Sequence, residues 1–186
     1  MVEVLKAGGL VIYPTETLYG LGVVMGESRL AHTEPMEKIW KFKERERNKP
    51  VLMAVTGEVM AKKYVKLTKL GTKVIRKYWP GPVSILCESK QDKNVKIGLR
   101  CPDNEMMLEV ISRVGRPISS TSVNLSGEAP IRSLADFYKK ITLDRQRMVD
   151  LFVDIGELPV SMPSTLVDTT GEELKVVRQG AVEVGI

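Results

Sequence analysis

The chain has 186 residues, 43% hydrophobic and 27% charged, the balance of an ordinary globular domain. Its 28 basic and 23 acidic side chains leave a net charge of +5, a mild excess that favours anionic ligands such as phosphates, nucleotides or nucleic acid. A single histidine, His32, excludes a histidine-built metal cage, and Cys87 and Cys101 form neither a CxxC pair nor a zinc spacing.

No apolar run approaches the roughly 18 residues that span a bilayer. The opening Met1-Val2-Glu3-Val4-Leu5-Lys6 lacks the basic and apolar regions of a signal peptide. The expectation is a cytoplasmic protein without a membrane partner. Its two thiols are expected to be reduced and to sit in or near the core, with a single disulfide as the alternative. His32, ahead of a helical pattern, is read as a surface or capping residue without chemistry.

Short Val- and Ile-rich runs bounded by Gly and Pro predict strands at Leu10–Tyr13, Val51–Val55, Val83–Cys87 and Val95–Leu99. Four more are predicted at Arg116–Ser120, Asp150–Val153, Thr165–Asp168 and Leu174–Arg178. Helical stripes lie between them. Met36, Ile39 and Trp40 share a face in a helix from Pro35 to about Lys43, with proline suited to the first turn. Leu70, Val74, Ile75 and Tyr78 define a second helix. Met107, Leu108 and Ile111 define a third, capped by Asp103 or Asn104. Ser133 and Asp136 have the form of a capping box ahead of Phe137 and Tyr138. The sum is a mixed α/β domain whose uneven element order argues against a simple doubly wound repeat.

No GxGxxG opens a helix and no GxxxxGK(S/T) loop occurs, so a bound nucleotide has to be held by side chains and an unusual loop. Three stretches are rich enough in polar groups to do so. Tyr13-Pro14-Thr15-Glu16-Thr17-Leu18-Tyr19-Gly20-Leu21-Gly22 follows a predicted strand and reads either as a capped turn or as a polar ligand loop. Lys43-Glu44-Arg45-Glu46-Arg47-Asn48-Lys49-Pro50 reads as extended, with Lys43, Arg45 and Arg47 on one side and Glu44 and Glu46 on the other. Such a row of cations either grips a polyphosphate or forms a solvated charged face. Ser119-Ser120-Thr121-Ser122-Val123-Asn124-Leu125-Ser126-Gly127 follows another predicted strand, where ligand sites of α/β sheets tend to lie. An ordinary Ser/Asn turn is the alternative there.

Taken in order, YPTETLYGLG, the KER and NKP pieces, WPGP, LRCP, STSVNLSG, PSTLVD and VVRQGA resemble the YrdC-like (TsaC) threonylcarbamoyl-AMP synthase family. The resemblance runs from about Gly9 to Ala181, nearly the whole chain, taken as a single domain of residues 1–186. The family's K-x-R followed far downstream by S-x-N is matched by Lys43, Arg45, Ser122 and Asn124. The chain departs from the family where Glu46 and Gln179 stand in place of prolines and Val123 in place of a smaller residue.

The resemblance implies a single α/β domain whose twisted mixed sheet, flanked by helices, forms a basic concave cleft. The implied reaction joins L-threonine, bicarbonate and ATP into L-threonylcarbamoyl-adenylate and pyrophosphate, for the t6A modification of tRNA by later proteins of that pathway. By analogy Lys43, Arg45, Ser122 and Asn124 are the catalytic set and, with Pro130 and Arg178, the ATP-binding set. Thr15, Arg100, Ser120 and Ser164 would hold threonine, Arg100 pairing with its carboxylate. No protein metal site is implied; Mg2+ is expected on the phosphates. A contact with tRNA or double-stranded RNA through the basic cleft is a further expectation. Two other readings stay open: a relative with weak or no synthase activity, and an RNA-binding module, for which 5% aromatic content supplies few stacking platforms.

Overall fold

The computed structural model describes residues 1–26, 34–47, 51–125 and 127–185; His32, Lys49, Pro50 and Ser126 lie outside that set. The strands are β1 Val11–Pro14, β2 Tyr19–Gly22, β3 Leu52–Ala54, β4 Val65–Lys66 and β5 Val83–Ser89, then β6 Lys96–Arg100, β7 Ile118–Ser122, β8 Leu151–Phe152, β9 Thr165–Asp168 and β10 Lys175–Arg178. They build one twisted sheet in the order β10-β9-β5-β6-β3-β7-β2-β1-β8, with β4 paired to β5 beside that row. The pairs β1/β8, β3/β6 and β5/β9 are parallel. The remaining pairs are antiparallel, so the sheet is mixed as expected.

The helices are α1 Val2–Lys6, α2 Glu34–Lys43, α3 Glu58–Tyr64, α4 Lys69–Tyr78, α5 Glu105–Val114, α6 Leu134–Lys140 and α7 Leu143–Gln146. Their ends follow local chemistry. The Asn104 side chain accepts from the Met107 amide at 3.0 Å to start α5, and Gly115 in the left-handed region (φ 75°) ends it. Ser133 Oγ accepts from the Asp136 amide at 3.1 Å, and the Asp136 carboxylate accepts from the Arg132 amide, also at 3.1 Å. The capping box therefore closes one residue outside its usual reach. Among the described residues no helix is long and apolar enough to cross a membrane.

Alternation along the central strands sorts the sheet into two faces. Val167, Ile85, Leu99 and Met53 are register partners on β9, β5, β6 and β3, and none retains any exposure. The residues between them form the opposite face. There Leu86, Gly98, Leu52 and Ser120 stand side by side, with Leu166, Ser84, Arg100 and Ala54 in the next row. Cys87 and Cys101 are buried free thiols, and burial pushes the pKa of each up to about 11.

Two strands escape a reading by composition. β2 reads Tyr-Gly-Leu-Gly, which is turn chemistry by content. Its glycines serve a neighbour. A Cβ at Gly20 would lie 2.8 Å from Tyr13 Cζ, and one at Gly22 would lie 2.6 Å from Tyr13 Cε1 and 2.8 Å from Ile118 Cγ2. The Tyr13 ring thus lies across bare backbone, and its hydroxyl donates to the Ser119 carbonyl of β7 at 2.9 Å. Burial pushes the Tyr13 pKa up to about 12, so the phenol stays neutral. β4 has only two residues, too few to carry a periodic signal.

Because a methyl at position 22 has no room beneath the Tyr13 ring, Gly22→Ala is expected to destabilise the fold by about 2 kcal/mol. Thermal unfolding should show this as a Tm drop of roughly 4–8 °C for a chain of this size. An unchanged Tm would contradict the packing account.

Candidate active site

The open face of the sheet floors a cleft of about 250 Å3 at the ends of β2, β3 and β7 and the start of β9. Its first wall is the turn between β1 and β2. Thr15 Oγ1 donates to the Leu18 carbonyl at 2.7 Å and accepts from the amides of Thr17 and Leu18 at 3.2 and 3.1 Å. One hydroxyl therefore holds a four-residue hairpin connection and sets the Thr17 hydroxyl 3.1 Å away.

Arg100, at the end of β6, lies under this turn with 5% of its surface exposed. Both terminal guanidinium nitrogens reach Thr17 Oγ1 at 3.3 Å, and Nε donates to the Gly81 carbonyl of the WPGP segment at 3.4 Å. Nη2 also pairs with Glu16 Oε1 at 2.5 Å, and the Asp103 amide donates to the same oxygen at 3.2 Å. Among the described residues Glu16 Oε2 is buried without a hydrogen-bond partner. A buried cation needs an anion and directed acceptors, and the Thr-Glu-Thr turn supplies both.

On the far side, Ser84 and Ser164 share a 2.8 Å hydroxyl contact across β5 and the segment entering β9. Arg178 of β10 donates to the Ser164 carbonyl at 2.8 Å. Gly180 lets the chain after β10 lie against that segment, since a Cβ there would stand 2.2 Å from the Pro163 carbonyl oxygen. Burial, joined by repulsion from Arg100, holds the Arg178 pKa below the usual arginine range; burial alone does so for Arg45.

The expected row of three cations on an extended stretch does not form. The helix α2 runs through Lys43, and the chain then turns at Glu44, whose φ of 49° breaks any strand-like alternation. Lys43 points inward and is 2% exposed. Its ammonium donates to the Ser122 carbonyl at 2.6 Å, the Asn124 carbonyl at 3.0 Å and Asn124 Oδ1 at 2.8 Å. Asn124 Oδ1 also accepts from Ser122 Oγ at 2.6 Å, while its amide donates to the carbonyls of Leu125 and Glu128. The K-x-R lysine and the S-x-N pair thus form one network. Burial, with help from the Arg45 charge, lowers the Lys43 pKa to about 8. Arg47 is exposed and pairs with Glu37 at 2.8 Å, away from the cleft. Glu44 pairs with Arg145.

Thr15, Ser120, Ser122, Ser164, Arg100 and Arg178 therefore line one cleft, and Arg45 joins them. Lys43 and Asn124 stand behind Ser122, and Pro130 does not line the cleft. Glu46 lines a neighbouring depression of about 880 Å3 beside α2, with mixed charges, which Arg45 also borders. Sequence reasoning left Thr17, Glu16 and Ser84 without roles. The density of polar atoms in the Thr-Glu-Thr turn was the available signal for the first two. Nothing in a single sequence aligned Ser84 with Ser164.

The family model for Sua5, YciO and YrdC, described as telomere recombination, matches residues 3–180. A Methanocaldococcus jannaschii protein named provisionally as a threonylcarbamoyl-AMP synthase is 30% identical over 182 residues, covering 95% of this chain and 82% of that protein. The threonylcarbamoyl-AMP synthase of Vibrio vulnificus is 28% identical, covering 97% of this chain and 96% of its own. Among solved structures, Pyrococcus abyssi Sua5 complexed with L-threonine superposes with a TM-score of 0.82 at 23% identity. That match covers 96% of this chain, which spans about half (52%) of the Sua5 chain. E. coli YciO gives a TM-score of 0.80 at 23% identity, covering 98% and 88% of the two chains. With the family model matched over nearly its whole length and a relative 30% identical across 82% of that protein, the chain belongs to the Sua5/YciO/YrdC family.

Proposed function

We propose that this protein is a threonylcarbamoyl-AMP synthase, making threonylcarbamoyl-adenylate from L-threonine, bicarbonate and ATP for t6A modification of tRNA. The observation that carries the reading is the convergence of Thr15, Arg100, Ser120, Ser164, Arg178 and Arg45 on one small cleft from widely separated stretches of chain. Hydroxyls and guanidinium groups suit carboxylate and phosphate recognition. The names of the relatives agree with it.

The chemistry explains why the cleft needs fixed positive charge. The threonine amine forms a C–N bond to the bicarbonate carbon and water leaves, giving a carbamate anion. A carbamate oxygen then bonds to the α-phosphorus of ATP as the bond to pyrophosphate breaks. One anion attacks another, so cations have to offset the repulsion and stabilise the leaving group. Arg45 and Arg178 meet the phosphates. Lys43 fixes Ser122 and Asn124 and adds its charge from behind them. Arg100 takes the threonine carboxylate, with Thr15, Ser120 and Ser164 as hydroxyl partners. Mg2+ arriving with ATP would supply charge neutralisation on the phosphates. Holding the reactants in line contributes much of the acceleration.

Pyrophosphate release is expected only when threonine, bicarbonate and ATP are all present, and Arg45→Ala should lower kcat/KM for ATP by about 10²-fold or more. Release that is indifferent to threonine would overturn the reading.

Lys43 gives a pH signature with a definite sign. Its pKa of about 8 lies below the ordinary lysine value of 10.5, so the ammonium is lost as pH rises through about 8. ATP affinity is expected to weaken from pH 8 to 9 in the native protein, and Lys43→Met should show no such dependence. Over the window from about 8 to 10.5 the unfolded chain holds this proton better than the folded one. The Lys43 contribution to stability therefore rises with pH while ATP binding falls. Calorimetric titrations at pH 7, 8 and 9 measure the first trend; a flat native profile would contradict it.

A further inference from the structure

The positive charge of the chain is gathered in one lobe, and that lobe is not the cleft. Residues 58–96 hold ten of the 28 basic side chains and three of the 23 acidic ones, a net charge of +7, so the rest of the chain nets −2. They form α3, β4, α4 and the β5–β6 hairpin, and all ten basic side chains are exposed. Of this stretch only Leu86 lines the cleft, whose own cations Arg45, Arg100 and Arg178 lie outside it.

The fold sets much of this charge on the side of the sheet away from the cleft. α4 turns Gly71, Val74 and Ile75 inward, and a Cβ at Gly71 would lie 3.1 Å from Thr169 Oγ1. Thr169 meets Cys87 behind the closed face, where Ile85 and Val167 are buried. Lys69, Lys73, Arg76 and Lys77 therefore form one outward stripe about 12 Å long. α3 lies beside it, since Glu58 meets Lys62 at 2.5 Å and Arg76 of α4 at 3.6 Å. The Lys90 amide donates to the Tyr64 carbonyl at 2.9 Å, which brings the β5–β6 turn to the end of α3. Lys63, Lys66, Lys69, Lys73, Lys90 and Lys93 have no carboxylate within ion-pair distance among the described residues. Elsewhere Lys38, Arg47, Arg113, Arg132, Lys140 and Arg145 each pair with one. Crowded like charges repel, so this array costs the fold stability rather than adding to it.

We infer that the exposed face of α3 and α4, with the β5–β6 turn, docks the phosphate backbone of a folded RNA while the cleft stays open to its small substrates. The choice of RNA among polyanions rests on the proposed function, whose product is made for a tRNA. Lysine is a point charge that meets phosphates without reading bases. The aromatic rings of the lobe, Tyr64, Tyr78 and Trp79, are partly buried, so bases find no open stacking platform and the contact is with the backbone. A protein interface needs an apolar centre, and a membrane-lying helix needs an apolar face. Among the described residues of the lobe, Val59 is the one large apolar side chain left exposed. An RNA held on this face does not compete with ATP, whereas one held in the cleft would.

The test is fluorescence anisotropy of the full chain with a labelled, unmodified tRNA transcript, with pyrophosphate release and thermal unfolding measured on the same samples. Six lysine–phosphate contacts predict an affinity that falls about 10³-fold between roughly 50 and 200 mM salt. The combined variant Lys63→Gln, Lys69→Gln, Lys73→Gln should weaken binding at least about tenfold and flatten the salt slope by about 2–3. As an independent variant, Lys90→Gln with Lys93→Gln should flatten it by about 2. Both variants should keep the native rate of pyrophosphate release and the native unfolding temperature. Saturating ATP should leave tRNA binding unchanged, and so should Arg45→Ala. Displacement of tRNA by ATP, or its loss in Arg45→Ala but not in the lysine variants, puts the RNA in the cleft and overturns the inference. So does tighter binding, at equal salt, of poly-L-glutamate or of phosphatidylserine vesicles, and so does native protein that binds no tRNA. Native protein that binds tRNA through these lysines but releases no pyrophosphate with threonine, bicarbonate and ATP refutes the synthase reading instead, a separate outcome.

Discussion

The site depends on the burial of one ammonium group. Lys43 ends α2 and carries its charge to the turn after β7, where three acceptors from Ser122 and Asn124 meet it. A charge at 2% exposure is costly to desolvate, and the arrangement persists because each N–H finds an oxygen. The interaction joins residues about eighty positions apart in sequence. Without it the carbonyls of residues 122 and 124 and the Asn124 side chain would lose their organising partner. The ammonium's hydrogen bonds shape the Ser122 turn, while its burial, joined by the Arg45 charge, lowers the Lys43 pKa.

The remaining cleft is a consequence of alternation in a mixed sheet. On the closed face, Val167, Ile85, Leu99 and Met53 form a fully buried row. One residue along each strand, the same chain presents Leu166, Ser84, Arg100 and Ala54 to the other side. Glycine appears where two objects must come close: beneath the Tyr13 ring on β2, beneath Leu52 on β6 and against the Pro163 carbonyl after β10. At each of these points a methyl group would displace either a wall or the floor. The Arg100–Glu16 pair adds a second buried charge, neutralised by a turn only four residues long.

Much of this was legible in the sequence, and the exceptions have physical causes. Valine- and isoleucine-rich strands and the stripes of α2, α4 and α5 follow from periodicity, as do the Asn104 and Ser133 caps. β2 was hidden because its glycines answer to Tyr13, a tertiary demand with no local signature. The extended reading of residues 43–47 failed because the chain reverses at Glu44, directly after α2 ends at Lys43 where its periodicity placed it. That reversal sends Lys43 inward and leaves Arg47 to pair with Glu37 at the surface. Of the motif residues, the hydroxyl-rich segments were visible by composition. Which hydroxyls meet was not, since the Ser84–Ser164 contact depends on the register of β5 against β9.

Coupling between Lys43 and Asn124 is the most direct measure of the account. A double-mutant cycle of Lys43→Ala and Asn124→Ala, read as ATP affinity at pH 7, isolates their interaction from the effect of either alone. If the buried ammonium organises the turn that meets the phosphates, either single change removes most of what the pair does. The combined loss then falls short of the sum by about 1 kcal/mol or more. Losses that simply add would mean that the lysine and the asparagine act independently, contradicting a site built around that one buried charge.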